Sequence, residues 1–255
     1  YCIQSLFLAS GRFATVIWII ESVFVAKVLK GFNIHAISTN NGIVYCIKMR
    51  YPHLNENIIR NKVNELGKDA YDYFDDTYFH NGVPKKYQGY CTDVWFNEAI
   101  KHIEQSSQKG KPFFTYIATN APHGPYHVPE KYIEPYANNE NIPNPNFYGM
   151  ITNVDENIGK LKNFLNDKGL LENTIFIFMT DNGSSSGARY DKDGNLIQGY
   201  NAQMKGMKGS EYEGGHRVPF FIRFPKSMSI EKVNSDALVT YVDFMPTLLD
   251  ILNIQ

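Results

Sequence analysis

Apolar and polar positions along the chain follow two periods, and each change of period marks an element. Phe113 to Ala118 is an unbroken apolar run opened by Lys111-Pro112, which predicts a strand covered on both faces. Ile175 to Met179 is a second such run, and Val218 to Phe224 is a third, short one. Between the first two, Phe147, Ile151, Val154, Ile158, Leu161 and Leu165 recur at spacings of four and three. That spacing predicts a helix stopped by Gly169. Thr92 is placed to cap a helix carrying Trp95, Phe96, Ala99, Ile100 and Ile103. Asp243 is placed to cap a last helix through Met245, Leu248, Leu249 and Leu252. Loops are predicted over the aromatic, turn-rich Asp72 to Tyr90, over the proline-rich Thr119 to Pro145, and over the Gly/Ser-rich Asp181 to Gly187. Residues 1–70 are less punctuated, and only Asn55 to Lys68 there fits a helix. Helices alternating with doubly buried strands predict an α/β sandwich around a largely parallel sheet.

Composition narrows this reading. The 255 residues are 43% hydrophobic and 20% charged, ordinary for a folded globular chain. Lys plus Arg number 25 against 26 Asp plus Glu, so the net charge is −1 and no basic surface calls for a nucleic-acid partner. Cys2, Cys46 and Cys91 are too few and too scattered for a disulfide framework or a zinc site. The apolar segment Phe13 to Leu29 carries Glu21 and Lys27 and falls short of the about 20 apolar residues of a membrane span. It predicts a buried strand or helix. No signal peptide is visible, and the absence of an initial Met suggests a fragment.

Three polar clusters follow predicted strands, where ligands collect in open parallel sheets. Thr180-Asp181-Asn182-Gly183 offers a carboxylate beside a side-chain carbonyl, a pair of hard oxygens suited to Ca²⁺ or Mg²⁺. Asn-Gly is equally a turn marker. Asn120-Ala121-Pro122-His123-Gly124-Pro125 holds His123 between prolines, where its imidazole can donate to an anion or pass a proton. A solvated loop histidine has the same surroundings, and His127 competes for the assignment. Lys205-Gly206-Met207-Lys208-Gly209 leads to Glu213-Gly214-Gly215-His216-Arg217-Val218-Pro219. Glycines there let backbone approach a ligand, and Lys208 with Arg217 can neutralise an oxyanion. A glycine-rich turn with charged tips would look alike, and the order of residues is not that of a phosphate-binding P-loop.

In combination the three clusters resemble the sulfatase family of the alkaline-phosphatase-like superfamily. Lys111 to Phe114, Tyr148 to Gly159 and Val242 to Leu252 add to the resemblance, which runs from Tyr71 to the end. It implies an incomplete alkaline-phosphatase-like α/β/α core over residues 71–255, preceded by a diverged or unrelated segment over residues 1–70. Asp181 and Asn182 match metal ligands of the family, and His123 matches the histidine that binds sulfate and assists the leaving group. Lys208 matches the lysine bridging sulfate and nucleophile, with Arg217 in the same loop on the substrate side. The implied activity is hydrolysis of aryl or carbohydrate sulfate esters around one divalent cation, Ca²⁺ with Mg²⁺ as the alternative. The implied partners are a small sulfate ester or a sulfated glycan, and the implied location is periplasmic or secreted.

Several family features are missing, among them the Gly-Lys-Trp-His type segment and the smaller C-terminal subdomain. The family nucleophile is a Cys or Ser in C/S-x-P-x-R, converted to formylglycine. Cys2 lacks both the proline and the arginine, and Cys46 has Arg50 but Lys48 where the proline belongs. No nucleophile is therefore assigned, and a formylglycine-generating enzyme would act only on a full-length form. The Asp-Asp metal pair after an early strand is missing too, and Asp75-Asp76 lies in an aromatic loop instead. The alternatives left open are a phosphodiesterase or phosphonate hydrolase of the superfamily, and a non-catalytic sulfatase-like fragment.

Overall fold

The computed structural model describes residues 15–21, 43–46, 73–80, 83–231 and 233–252. The helix predicted over Asn55 to Lys68 lies outside these residues. In chain order the elements are β1 (Thr15–Glu21), β2 (Ile43–Cys46), β3 (Thr77–His80), β4 (Val83–Lys86), α1 (Cys91–Gln108) and β5 (Phe114–Thr119). Next come α2 (Glu130–Ala137), α3 (Pro145–Asp167), β6 (Thr174–Thr180), β7 (Ala188–Tyr190) and β8 (Leu196–Gly199). The one-turn α4 (Glu213–His216), β9 (Phe220–Arg223) and α5 (Phe244–Ile251) complete the order.

Five strands form one sheet in the order β2-β5-β1-β6-β9. β1, β2, β5 and β6 are parallel, and β9 closes one edge antiparallel to β6. The two apolar runs thus become near neighbours, separated only by β1. The apolar segment around residues 13–29 supplies that central strand, so two strands from before residue 70 lie inside the sheet.

Side chains on β5 and β6 alternate between two cores, as period-two geometry requires. Ile117 and Phe176 pack with Phe96, Ile103, Met150, Leu161 and Leu165 of α1 and α3. Phe114, Tyr116, Ile175 and Ile177 pack on the other face with Phe244, Leu248 and Leu252 at α5. Helices on both faces are the reason these strands are apolar throughout.

Several local expectations shift. Thr92 does not cap α1; it is buried within the first turn, and Tyr90 holds the cap position with no side-chain bond. The isolated bridge Phe74–Tyr90 fixes the chain there, and the Cys91 amide is satisfied by the Tyr73 carbonyl at 2.8 Å. Asp243 likewise makes no side-chain cap on α5. Its carboxylate turns back to the Thr240 N–H at 2.7 Å and closes the preceding turn. The loop predicted from Thr119 to Pro145 contains α2, with Pro135 inside it. Tyr132 of α2 is buried against α3, where a Cβ on Gly149 would lie 2.8 Å from the Tyr132 carbonyl oxygen. Only glycine permits that approach. α3 matches its predicted stripe except at Ile151, which is 42% exposed. Asn153 and Asn157 are buried in its place because both donate to Asp93 of α1, at 2.9 and 2.7 Å.

Candidate active site

β6 ends at Thr180, and the next three residues turn away from the sheet. The Gly183 amide donates to the Gly215 carbonyl at 3.0 Å, and a Cβ at Gly183 would sit 1.7 Å from the Gly214 oxygen. Asn182-Gly183 is therefore a point of backbone contact with the glycine-rich loop, not a hairpin turn. The Asn182 side-chain amide donates to the Gly183 carbonyl at 3.0 Å, which leaves its oxygen as the acceptor end. Burial pushes the Asp181 carboxyl above the ordinary carboxylate range, while the Lys208 ammonium, nearby backbone amides and His123 pull it back. Lys208 and His123 are thus electrostatic neighbours of Asp181, although 27 and 58 positions respectively separate them from it in sequence.

Lys208 is delivered by its backbone. Its amide donates to the Ser184 carbonyl at 2.9 Å, and the Gly214 amide donates to the Lys205 carbonyl at 2.8 Å. The buried Asn201 side chain donates to the Gly206 carbonyl, and Tyr190 Oη donates to the same oxygen at 3.2 Å. Gly206 there has φ +82, a conformation that favours glycine. Arg217 pairs with Glu213 at 3.3 Å, and both side chains are mostly exposed.

His123 is exposed on its loop, while the loop itself is anchored. Tyr73 Oη donates to the His123 carbonyl at 3.1 Å. The Asn120 side-chain oxygen accepts from Cys91 Sγ at 3.3 Å and Trp95 Nε1 at 3.4 Å. His123 Nδ1 lies 2.7 Å from the Gly124 carbonyl, which can only accept. The proton in that contact is therefore on Nδ1, and Nε2 is the free end. His127 packs its ring on Tyr73, with centroids 5.7 Å apart, so it belongs to the aromatic packing. Ser186 Oγ donates to Tyr126 Oη at 2.6 Å and ties the His123 loop to the one after Asp181.

Asp75 and Asp76 accept from the amides of Gly89 and Thr77, both at 2.7 Å, and so shape the loop around the β3–β4 hairpin. The aromatic residues around them are largely local core: Tyr73 and Tyr90 are buried, and Tyr78 packs on Trp95. Tyr73 and Tyr126 steady the His123 loop through partners too distant in the chain for any local pattern to show. Glu21 is a further carboxylate of interest. The β1 register places Glu21 beside Thr180 and Thr119, at the same sheet end as Asp181. An apolar run ending in a carboxylate was the available signal.

Among the described residues no group of three or more His, Cys, Asp or Glu side chains is gathered for a metal ion. Asp181 and Asn182 fit a hard divalent cation as part of a ligand set, since oxygens on adjacent residues share one sheet end. The half-buried Asp181 carboxylate, with only partial compensation, is the kind of donor a cation would satisfy.

The three-layer sandwich around a largely parallel sheet is an alkaline-phosphatase-like fold. The sulfatase family model matches residues 30–254, and the chain belongs to the sulfatase family, whose members are metal-dependent. It is 32% identical over 175 residues to the uncharacterized sulfatase YdeN of Escherichia coli, spanning 68% of this chain and 29% of that one. It is 30% identical over 195 residues to an N-acetylgalactosamine-6-O-sulfatase of Bacteroides thetaiotaomicron, spanning 68% of this chain and 34% of that one. The crystal structure of Ps i-CgsB in complex with k-i-k-neocarrahexaose has a TM-score of 0.65 and 25% identity, over 99% of this chain and 53% of that one. The chain spans about a third of the length of these curated relatives.

Proposed function

We propose that the chain is the core of a sulfuric ester hydrolase acting on sulfate esters of carbohydrates. The observation that carries this is that the Lys208 amide is held to Ser184, three residues after Asp181, while the Ser186–Tyr126 bond ties the His123 loop to the same end of β6. Family membership supports sulfate as the group transferred. The names of similar proteins, an N-acetylgalactosamine-6-O-sulfatase and a structure bound to a neocarrahexaose, support a sulfated sugar.

Asp181 and Asn182 hold a divalent cation in this reading, with Ca²⁺ favoured and Mg²⁺ the alternative, and Glu21 stands at the same sheet end. The cation, when bound, supplies positive charge where the ester oxygens become more negative. Lys208 orients the sulfate and neutralises part of its charge. His123, protonated on Nδ1 and free at Nε2, binds a sulfate oxygen or exchanges a proton at the leaving oxygen once charged. Arg217 is kept as a substrate-side residue that must release Glu213 to serve. No residue is assigned as nucleophile, because C/S-x-P-x-R does not occur in the sequence. A periplasmic or secreted location belongs to the same proposal. Among the described residues no helix is long and apolar enough to cross a membrane.

The test is a paired assay. The 255-residue chain is expected to bind sulfate weakly and to leave aryl sulfate uncleaved, even beside a formylglycine-generating enzyme. Completed with an intact sulfatase amino-terminal segment and carboxyl-terminal subdomain, it should cleave aryl sulfate in preference to aryl phosphate. In that longer chain Lys208→Ala and Asp181→Ala should each lower kcat/KM by about a hundredfold or more, the scale on which single electrostatic groups act. Robust turnover by the 255 residues alone, or a preference for phosphate, would contradict the reading.

A further inference from the structure

Beside the candidate sulfate site lies a second cleft of about 460 Å³, within the range of small-ligand sites. Its lining includes Asn144, Ser185, Ser186, Arg189, Ile197 and Met207. The two sites share a wall: Ser185 and Ser186 follow the residue whose carbonyl holds the Lys208 amide, and Met207 precedes Lys208. Its frame is fixed by hydrogen bonds. The Gly199 amide donates to the Asn141 carbonyl at 2.7 Å, and Tyr148 Oη donates to the Gly187 carbonyl at 2.8 Å.

Arg189 gives the cleft its charge. Among the described arginines, Arg217 and Arg223 pair with Glu213 and Glu172, whereas Arg189 has no carboxylate partner among the described residues. It donates from Nη2 to the Pro143 carbonyl at 3.3 Å, which steadies the guanidinium and leaves its other donors available. No Asp or Glu lines the cleft. The remaining lining suits a sugar: serine hydroxyls and an amide for ring hydroxyls, and Ile197, 62% exposed, for an apolar ring face.

We propose that this cleft is an anionic-sugar subsite, in which Arg189 binds a second sulfate or a uronate carboxylate on the sugar next to the one whose sulfate sits at Lys208. This rests on the proposed function and extends it, from any sulfate ester to oligosaccharides carrying at least two anionic groups. A planar, forked guanidinium suits either oxyanion.

The test measures binding to the 255-residue chain by NMR titration, with inorganic sulfate, a monosulfated disaccharide, its disulfated analogue and its monosulfated uronate analogue as probes. The doubly anionic disaccharides should bind about tenfold more tightly than the monosulfated one, as one charge-assisted hydrogen-bonded contact would give. Arg189→Gln should erase that preference while leaving inorganic sulfate and the monosulfated disaccharide unchanged, and Arg189→Lys should restore part of it. A gain with the disulfated probe alone, or with the uronate alone, names the natural anion. Equal binding of singly and doubly anionic probes by the unmutated chain would overturn the subsite, and so would equal weakening of every probe by Arg189→Gln. The underlying reading fails separately: sulfate binding that is absent, or indifferent to Lys208→Ala, would remove the primary site and this subsite with it.

Discussion

Lys208 acts at a distance of 27 positions from Asp181 because main chain, not side chain, brings it there. Asp181, Lys208 and His123 each stand in a recognisable local pattern of the sequence. The residues that hold them do not. Tyr73 reaches the His123 carbonyl across 50 positions, and Tyr126 reaches Ser186 across 60. Gly183 is the most sensitive of the supporting positions. A methyl there would overlap the Gly214 carbonyl, and backbone cannot swing aside as a side-chain tip does. Gly183→Ala is expected to destabilise the chain by about 1–3 kcal/mol, the usual scale of overpacking, and to weaken sulfate binding. Urea denaturation followed by sulfate titration checks both, and an unchanged midpoint would contradict the tight approach.

At the scale of elements, the strands and long helices were legible and their boundaries and caps were not. α3 shows why. Its period was plain, but the face it buries is turned so that Ile151 is exposed while Asn153 and Asn157 are inside, satisfied by Asp93. A hydropathy pattern cannot show that a buried amide has a partner on another helix. Asp93→Leu removes that acceptor and leaves two buried amides short of a bond, at a cost of about 1–3 kcal/mol for each. Thermal or urea unfolding should show a loss of at least one such increment, and no loss would mean that the amides find other partners. The Pro135-containing α2 was hidden because proline within a predicted loop reads as a breaker.

The β7–β8 hairpin makes a pH prediction at the same scale. The Asp191 carboxylate accepts from the Asn195 amide at 2.8 Å, the Asn195 side chain at 3.0 Å and the Asp193 amide at 2.9 Å. The Asn195 side-chain bond foremost, then the backbone bonds, hold its carboxyl below the ordinary range. A native value below the unfolded one contributes stability above the unfolded value, and that contribution fades as pH falls through the native value. The protection factor of the Asn195 amide, its exchange relative to that of an unstructured chain at the same pH, should therefore hold near neutrality and fall only in acid, below the ordinary carboxylate range. Asp191→Ala should lower that protection factor near neutrality, and protection insensitive to the substitution would contradict the loop geometry.

For the whole molecule, fold class was the most legible feature, because doubly apolar strands between amphipathic helices leave few architectures open. The order of the sheet was less so. Nothing local announces that Thr15–Glu21 lies between β5 and β6, yet this places Glu21 at the same sheet end as Asp181. In the function proposed, His123, Asp181 and Lys208 form one oxyanion site at that end. The most direct measurement is a sulfate titration of the isotopically labelled 255-residue chain, followed by amide chemical shifts, repeated with Lys208→Ala. Shifts are expected to concentrate at residues 120–126, 181–184 and 206–215, saturating together in the unmutated chain and lost in the variant. Shifts confined to other residues, or unchanged by Lys208→Ala, would contradict that site.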